Sequence, residues 1–164
     1  MPLVNSSGIT PDPFTRLDAD APLTDGPVLV PFARFLAERE GLVGRNAPLG
    51  VLVANTDNVA DLAPFLGSIA VIVLDFPKFR DGRAYTQARL LRERFGFTGE
   101  LRAAGNVLRD QFLLMVRCGF DAFEISKPAD VGALTEALAS YSVFYQPTGD
   151  GRPTALRLRT EQAG

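Results

Sequence analysis

The chain contains no histidine, no tryptophan, one cysteine and two methionines. Only two of its seventeen basic residues are lysines. Without His there is no Ser-His-Asp or Cys-His device within the chain and no imidazole ligand for zinc, copper or haem. No side chain has an unperturbed pKa near neutrality. A single Cys closes no internal disulfide and falls short of the four thiolates that normally hold an iron–sulfur cluster. No stretch approaches the roughly 18 apolar residues that cross a bilayer. The opening residues, MPLVNSSGITPDPFTRLDADAP, lack the basic and apolar regions of a secretion signal, so a cytoplasmic location is expected. A net charge of −2 and the lack of an aromatic-interleaved basic motif argue against a nucleic-acid partner. What remains is acid–base work by Asp, Glu, Lys or Tyr.

The chain has 164 residues, 46% of them hydrophobic and 22% charged, which suits one domain with a core of its own. Prolines and glycines punctuate residues 1–27, where an irregular arm or a small hairpin around Gly8 is expected. From residue 28 to 146, strand and helix patterns alternate. Strands are expected at 28–31, 50–54, 69–76, 100–105, 120–125 and 141–146. The run IAVIVLDF is continuously apolar and β-branched, as in a strand covered on both faces. Helices are expected after Pro31, over 58–66 with Asn55, Thr56 or Asp57 as cap, and over 83–95 with Ala84, Ala88, Leu91 and Phe95 on one face. A further helix is expected from an Asn106 cap to Cys118, with Leu108, Phe112 and Met115 as its inner stripe, and another over 128–140. Residues 147–164 read as a polar tail, in which the alternation of 154–159 suggests an edge strand. The alternation implies an α/β domain with a mostly parallel open sheet or a partial (β/α) barrel. Functional groups then belong at the carboxyl ends of the strands.

Charge is unevenly spread. Residues 75–117 hold nine basic and five acidic side chains, a local excess of four positive charges within an acidic protein. The densest piece, DFPKFRDGR at 75–83, lies where the strongest strand gives way to a helix. Free backbone N–H groups and a helix dipole favour an anion there. Lys78 offers a point charge, Arg83 a bidentate fork, and Gly82 close backbone approach. The alternative is a solvated charged loop, since arginine is abundant throughout. Asp75 and Asp81 are the candidate catalytic carboxylates, with loop capping as the competing role for both. Glu124 alternates away from Phe123 and Ile125, which suggests burial or an edge position. Cys118, near a helix C-terminus, reads as a packed and inert thiol.

The stretch LDFPKFRDGRAYTQARLLRERFGFTGELRAAGNVLRDQFLLMVRCGFDAFEI, residues 74–125, closely resembles the DUF934 family of small bacterial proteins. Weaker likeness covers 26–38 and 141–146. Family members are described as oxidoreductases involved in sulfite reduction. The resemblance therefore implies an accessory protein of assimilatory sulfate and sulfite reduction, with the sulfite reductase haemoprotein as partner. Three positions depart from the family pattern: Ala84 replaces Gly, Thr86 replaces Ser and Asn106 replaces Asp. Asn106 cannot supply a carboxylate, although a capping role survives the exchange.

A second reading is a small α/β enzyme or sensor for a phosphorylated or sulfated metabolite. Lys78, Gly82, Arg83, Arg102, Asn106 and Gln111 would hold the anion, and Asp75 and Asp81 would do the acid–base work. A third is a structural homodimer. The sequence has no G-x-G-x-x-G fingerprint and no metal-ligand set, so neither a nucleotide cofactor nor a metal is expected. Whether the chain is an enzyme stays open at this point.

Overall fold

A computed structural model of the chain describes residues 2–78, 80–126, 131–139, 144–145, 147–148 and 153–162. Its sheet contains β1 (Leu3–Asn5), β2 (Gly8–Thr10), β3 (Thr15–Arg16), β4 (Val28–Pro31), β5 (Leu49–Val53), β6 (Val71–Phe76), β7 (Glu100–Gly105) and β8 (Ala122–Glu124). The spatial order is β2-β1-β8-β7-β6-β5-β4-β3. Strands β3 to β8 run parallel, each beside its successor in the chain. β1 is antiparallel to both β8 and β2, so the sheet is mixed. The N-terminal residues are therefore built into the sheet. A hairpin through Gly8, whose φ is 110°, covers the edge that β8 would otherwise leave unpaired.

The connection from β2 to β3 dictates curvature. These strands are the two edges of the sheet, separated by seven strand spacings. In a flat sheet they would lie about 34 Å apart. The chain joins Thr10 to Thr15 in five Cα steps, a reach of at most about 18 Å. The sheet must curl until its edges approach, and it forms a half-barrel whose open side is crossed by residues 11–14.

The helices are α1 (Phe32–Val43), a 3-10 helix (Val59–Ser68), α2 (Arg83–Arg89) with a π-helical extension (Leu90–Arg94), α3 (Phe112–Arg117), α4 (Val131–Ala139) and α5 (Ala155–Gln162). Apart from α5, they pack on the convex side. Val30, Val51, Ile72, Leu101 and Phe123 project from the strands into one buried cluster with Phe35, Leu62, Leu91, Phe112 and Met115. The alternate positions Leu29, Val71, Val73 and Ala104 face the hollow and pack with Phe14 of the crossing segment.

Several local expectations are corrected. The cap after β5 is Asn58, whose side chain accepts from Ala60 N, because Asn55 is engaged with Asp81 of the loop after β6 and Asp57 with the Ala54 N–H. Asn106 caps no helix. Gly105 takes φ 86° and turns the chain back over β6, so that Asn106 N–H donates to the Phe76 carbonyl at 2.7 Å. The helix starts later, with a 3-10 turn at Arg109–Gln111. Leu108 is extended and exposed, so the helical phase expected of it does not apply. Phe95 is only partly buried, because the wider π turn rotates it away from the stripe, and Phe97 fills the core instead. Of the expected edge strand at 154–159, Thr154 makes an isolated parallel bridge with Phe144, and residues 155–159 belong to helix α5. The strand expected at 141–146 and the start of the helix expected at 128 lie largely outside the described residues.

Candidate functional site

A cleft of about 370 Å3 opens at the carboxyl ends of β4 to β7, on the concave side of the sheet. Leu52, Val73 and Ala104 form its apolar floor, and Pro31 and Phe32 a wall. Three ionisable side chains reach it: Arg16, Asp57 and Asp75. This is where a parallel βα sheet ordinarily carries its chemistry, because the loops after the strands converge there.

Asp75 reaches the cleft by strand alternation. It shares a face with Val71 and Val73, whereas Ile72, Leu74 and Phe76 point to the helices. Register sets it opposite Ala104. No N–H or O–H among the described residues donates to its carboxylate. Burial pushes its pKa above the ordinary carboxylate value, against a smaller lowering by the Arg16 guanidinium. Gly105 makes room for it: a Cβ there would stand 2.5 Å from Asp75 Oδ1 and 2.7 Å from the Phe76 carbonyl oxygen.

Arg16 comes from β3 at the far edge of the sheet. Its Nη2 donates to Glu124 Oε1 at 2.6 Å, which bridges the hollow from edge strand to β8. Half of its side chain stays exposed (50%). Beside it, Arg102 is only 1% exposed, with Nε on Glu100 at 2.7 Å and Nη1 on Asp12 at 2.8 Å. Its Nη1 also lies 4.0 Å from Glu124, and Phe14 sits over the guanidinium at 5.7 Å. These contacts pin the crossing segment onto the hollow. A buried guanidinium needs such partners, because an unpaired buried charge is very costly.

The 75–83 loop is organised differently. Arg83 donates Nε to Asp81 Oδ1 at 2.9 Å and Nη2 to Oδ2 at 2.6 Å. Asn55 Nδ2 donates to the same carboxylate at 2.6 Å. The Arg83 hydrogen bonds hold the Asp81 pKa down at about 2. Asp81 thus ties the β5 loop to the β6 loop, and its own carboxylate fills the Arg83 fork. Gly82 precedes α2 with an ordinary φ of −81°. Lys78 is exposed beside it. Gln87 fixes the other side of the cleft, donating Nε2 to the Ala54 and Asp57 carbonyls, both at 2.9 Å.

Of the residues singled out from sequence, Asp75 lines the cleft. Lys78, Asp81, Gly82 and Arg83 lie on the neighbouring loop, and Asn106 follows β7. Gln111 closes the 3-10 turn before α3. Arg102 lies inside the hollow, bound to carboxylates. Lys78, Arg83 and Arg102 therefore do not share a pocket. Sequence reasoning missed Arg16, Asp12 and Phe14, which sit in a segment without periodicity. Glu124 did carry a signal, as a charge set between Phe123 and Ile125 in an apolar strand.

Among the described residues no group of acidic and thiol side chains is arranged to hold a metal ion, and no helix is long and apolar enough to cross a membrane. No curated protein and no solved structure matches the chain. Residues 50–156 match the family described as bacterial protein of unknown function, DUF934. That span runs from β5 into α5, includes Asp75, Gly105 and Glu124, and takes in most of the chain: the protein belongs to the DUF934 family.

Proposed function

We propose that the protein is an accessory of assimilatory sulfite reduction that receives a small metabolite in the cleft at Asp75 and works beside the sulfite reductase haemoprotein. The cleft carries the ligand-binding half of this reading. It has an apolar floor, sits at the carboxyl ends of the strands, and presents one carboxyl group that no described residue satisfies. A half-buried carboxyl with a raised pKa is suited to exchange a proton with a ligand. The pathway half carries forward what the resemblance of residues 74–125 implies; the matched family's own description assigns no function. A chain with no His and one Cys also leaves haem and cluster ligation to a partner.

The test has two arms. The tagged chain is expected to co-elute with the sulfite reductase haemoprotein of its own organism. Thermal-shift screening with sulfur-assimilation metabolites is expected to yield a saturable ligand, whose binding Ala104→Leu blocks by filling the cleft floor. Failure of co-elution together with an empty screen overturns the proposal.

A further inference from the structure

We infer that the cleft selects a small zwitterion, a molecule of the α-amino acid type, whose ammonium group binds Asp75 and whose carboxylate draws Arg16 away from Glu124. The inference rests on the reading of the cleft as a small-molecule site and adds the chemical class of its occupant.

The two charged groups at issue are complementary in kind. An ionised Asp75 only accepts hydrogen bonds, and Arg16 only donates them. Asp57 also lines the cleft, but its Oδ2 already accepts the Ala54 N–H at 2.8 Å and serves the turn. Asp75 has no donor among the described residues, so an incoming N–H gives it the partner that the fold withholds. A simple anion would meet that carboxylate as a like charge. A simple amine would leave the donors of Arg16 unused.

Arg16 is able to change partners because the crossing segment and Glu124 each have a further hold. The crossing segment is held independently. Thr15 N–H donates to the Pro27 carbonyl at 3.0 Å, Leu17 N–H to the Leu29 carbonyl at 2.9 Å, and Asp12 receives Arg102 at 2.8 Å. Nor would Glu124 be stranded as a buried charge, since Arg102 Nη1 stands 4.0 Å from the same oxygen. A carboxylate entering the cleft thus competes for a guanidinium that is half exposed and has a replacement waiting behind it. The apolar floor of Leu52, Val73 and Ala104 receives the body of the ligand.

The experiment screens the common α-amino acids against the full chain by thermal shift and calorimetry. Each hit is then compared with its N-acetyl and carboxamide forms. At least one amino acid is expected to bind saturably, with either capped form weaker by about tenfold or more. Asp75→Asn and Arg16→Ala should each weaken the hit by at least about tenfold, and Arg16→Lys by less than Arg16→Ala. Circular dichroism of the unliganded variants separates lost binding from lost folding. Absence of any bound amino acid, or capped forms that bind as well as the parent, overturns the inference. If the reductase co-elutes, or a metabolite lacking one of the two groups fills the cleft, the zwitterion alone fails and the proposed function survives. If neither occurs, both fall.

Discussion

The two faces of the sheet are built on opposite principles. On the convex face β1 and β4 to β8 offer aliphatic or aromatic side chains, and the helices bury them against one another. On the concave face apolar positions are mixed with Glu100, Arg102, Glu124 and Asp75, and the cover is a short crossing segment instead of a helix layer. The convex face is held by area, which is forgiving of exchanges among residues of similar size. The concave face is held by a few directional contacts, so single side chains carry more of the outcome. A comparable contrast separates the two ends of the strands. Near the start of β7, Arg92 donates to the carbonyls of Phe97, Gly99 and Gly119 and pairs with Asp121, which knits loops together. At the carboxyl ends the chain leaves a cleft and an unsatisfied acid.

The largest effect should come from Arg102→Met. Removing the guanidinium takes away the anchor of Asp12 and the partner of Glu100, while Glu124 keeps Arg16, so a loss of about 3 kcal/mol, the low end for breaking a buried pair, is expected in urea denaturation. A loss below about 1 kcal/mol would mean that the concave face is held by area after all.

Next is Gly105→Ala. Its Cβ would meet Asp75 Oδ1 at 2.5 Å in a left-handed backbone with φ 86°, and a loss of about 2–3 kcal/mol is expected. The same substitution should also move the Asp75 carboxyl, visible as a changed carboxyl titration by NMR.

Asp75→Asn should act in the opposite sense. A folded-state pKa raised by burial means that the native protein binds its proton more tightly than the unfolded chain does. Stability therefore falls as pH rises from the ordinary carboxylate value through the folded one. At neutral pH the neutral amide is expected to raise Tm slightly. It should also flatten that part of the stability-against-pH curve. An unchanged curve would assign Asp75 a solvated role.

The smallest effect belongs to Arg83→Ala, whose pair with Asp81 is exposed, so Tm at neutral pH should stay within experimental scatter. Its signature is the Asp81 titration, which should rise from about 2 toward the ordinary carboxylate value. Any contribution of this pair is present above the unfolded carboxylate pKa and is lost as pH falls toward 2. A large loss of Tm at neutral pH would show that the loop behaves like the concave face.

Much of the convex architecture was legible in advance. Strands β4 to β7 lie within a residue or two of the runs read from apolar pattern, and α1 and α2 begin where Pro31 and the RDGR turn suggest. Asp75 was legible as a candidate because a charge closing a buried strand has few places to go. The charged cluster at 75–83 was equally visible, but its local density concealed that Asp81 satisfies Arg83 only two residues away. Arg16 was not legible. It acts across the hollow on Glu124, at a sequence separation of 108, and nothing near it in the chain signals that contact.

Local chemistry written in the chain settled the alternation of strand and helix, the apolar convex face, and the exclusion of histidine chemistry and of an internal disulfide, because side-chain period and residue type act over a few neighbours. The antiparallel hairpin on β8, the crossing segment and the meeting of Arg16, Arg102, Glu124 and Asp75 emerged only from the folded chain. The reason is distance: closing a sheet brings its two edges together, and which charges then face one another depends on the curl, which no local run of residues encodes.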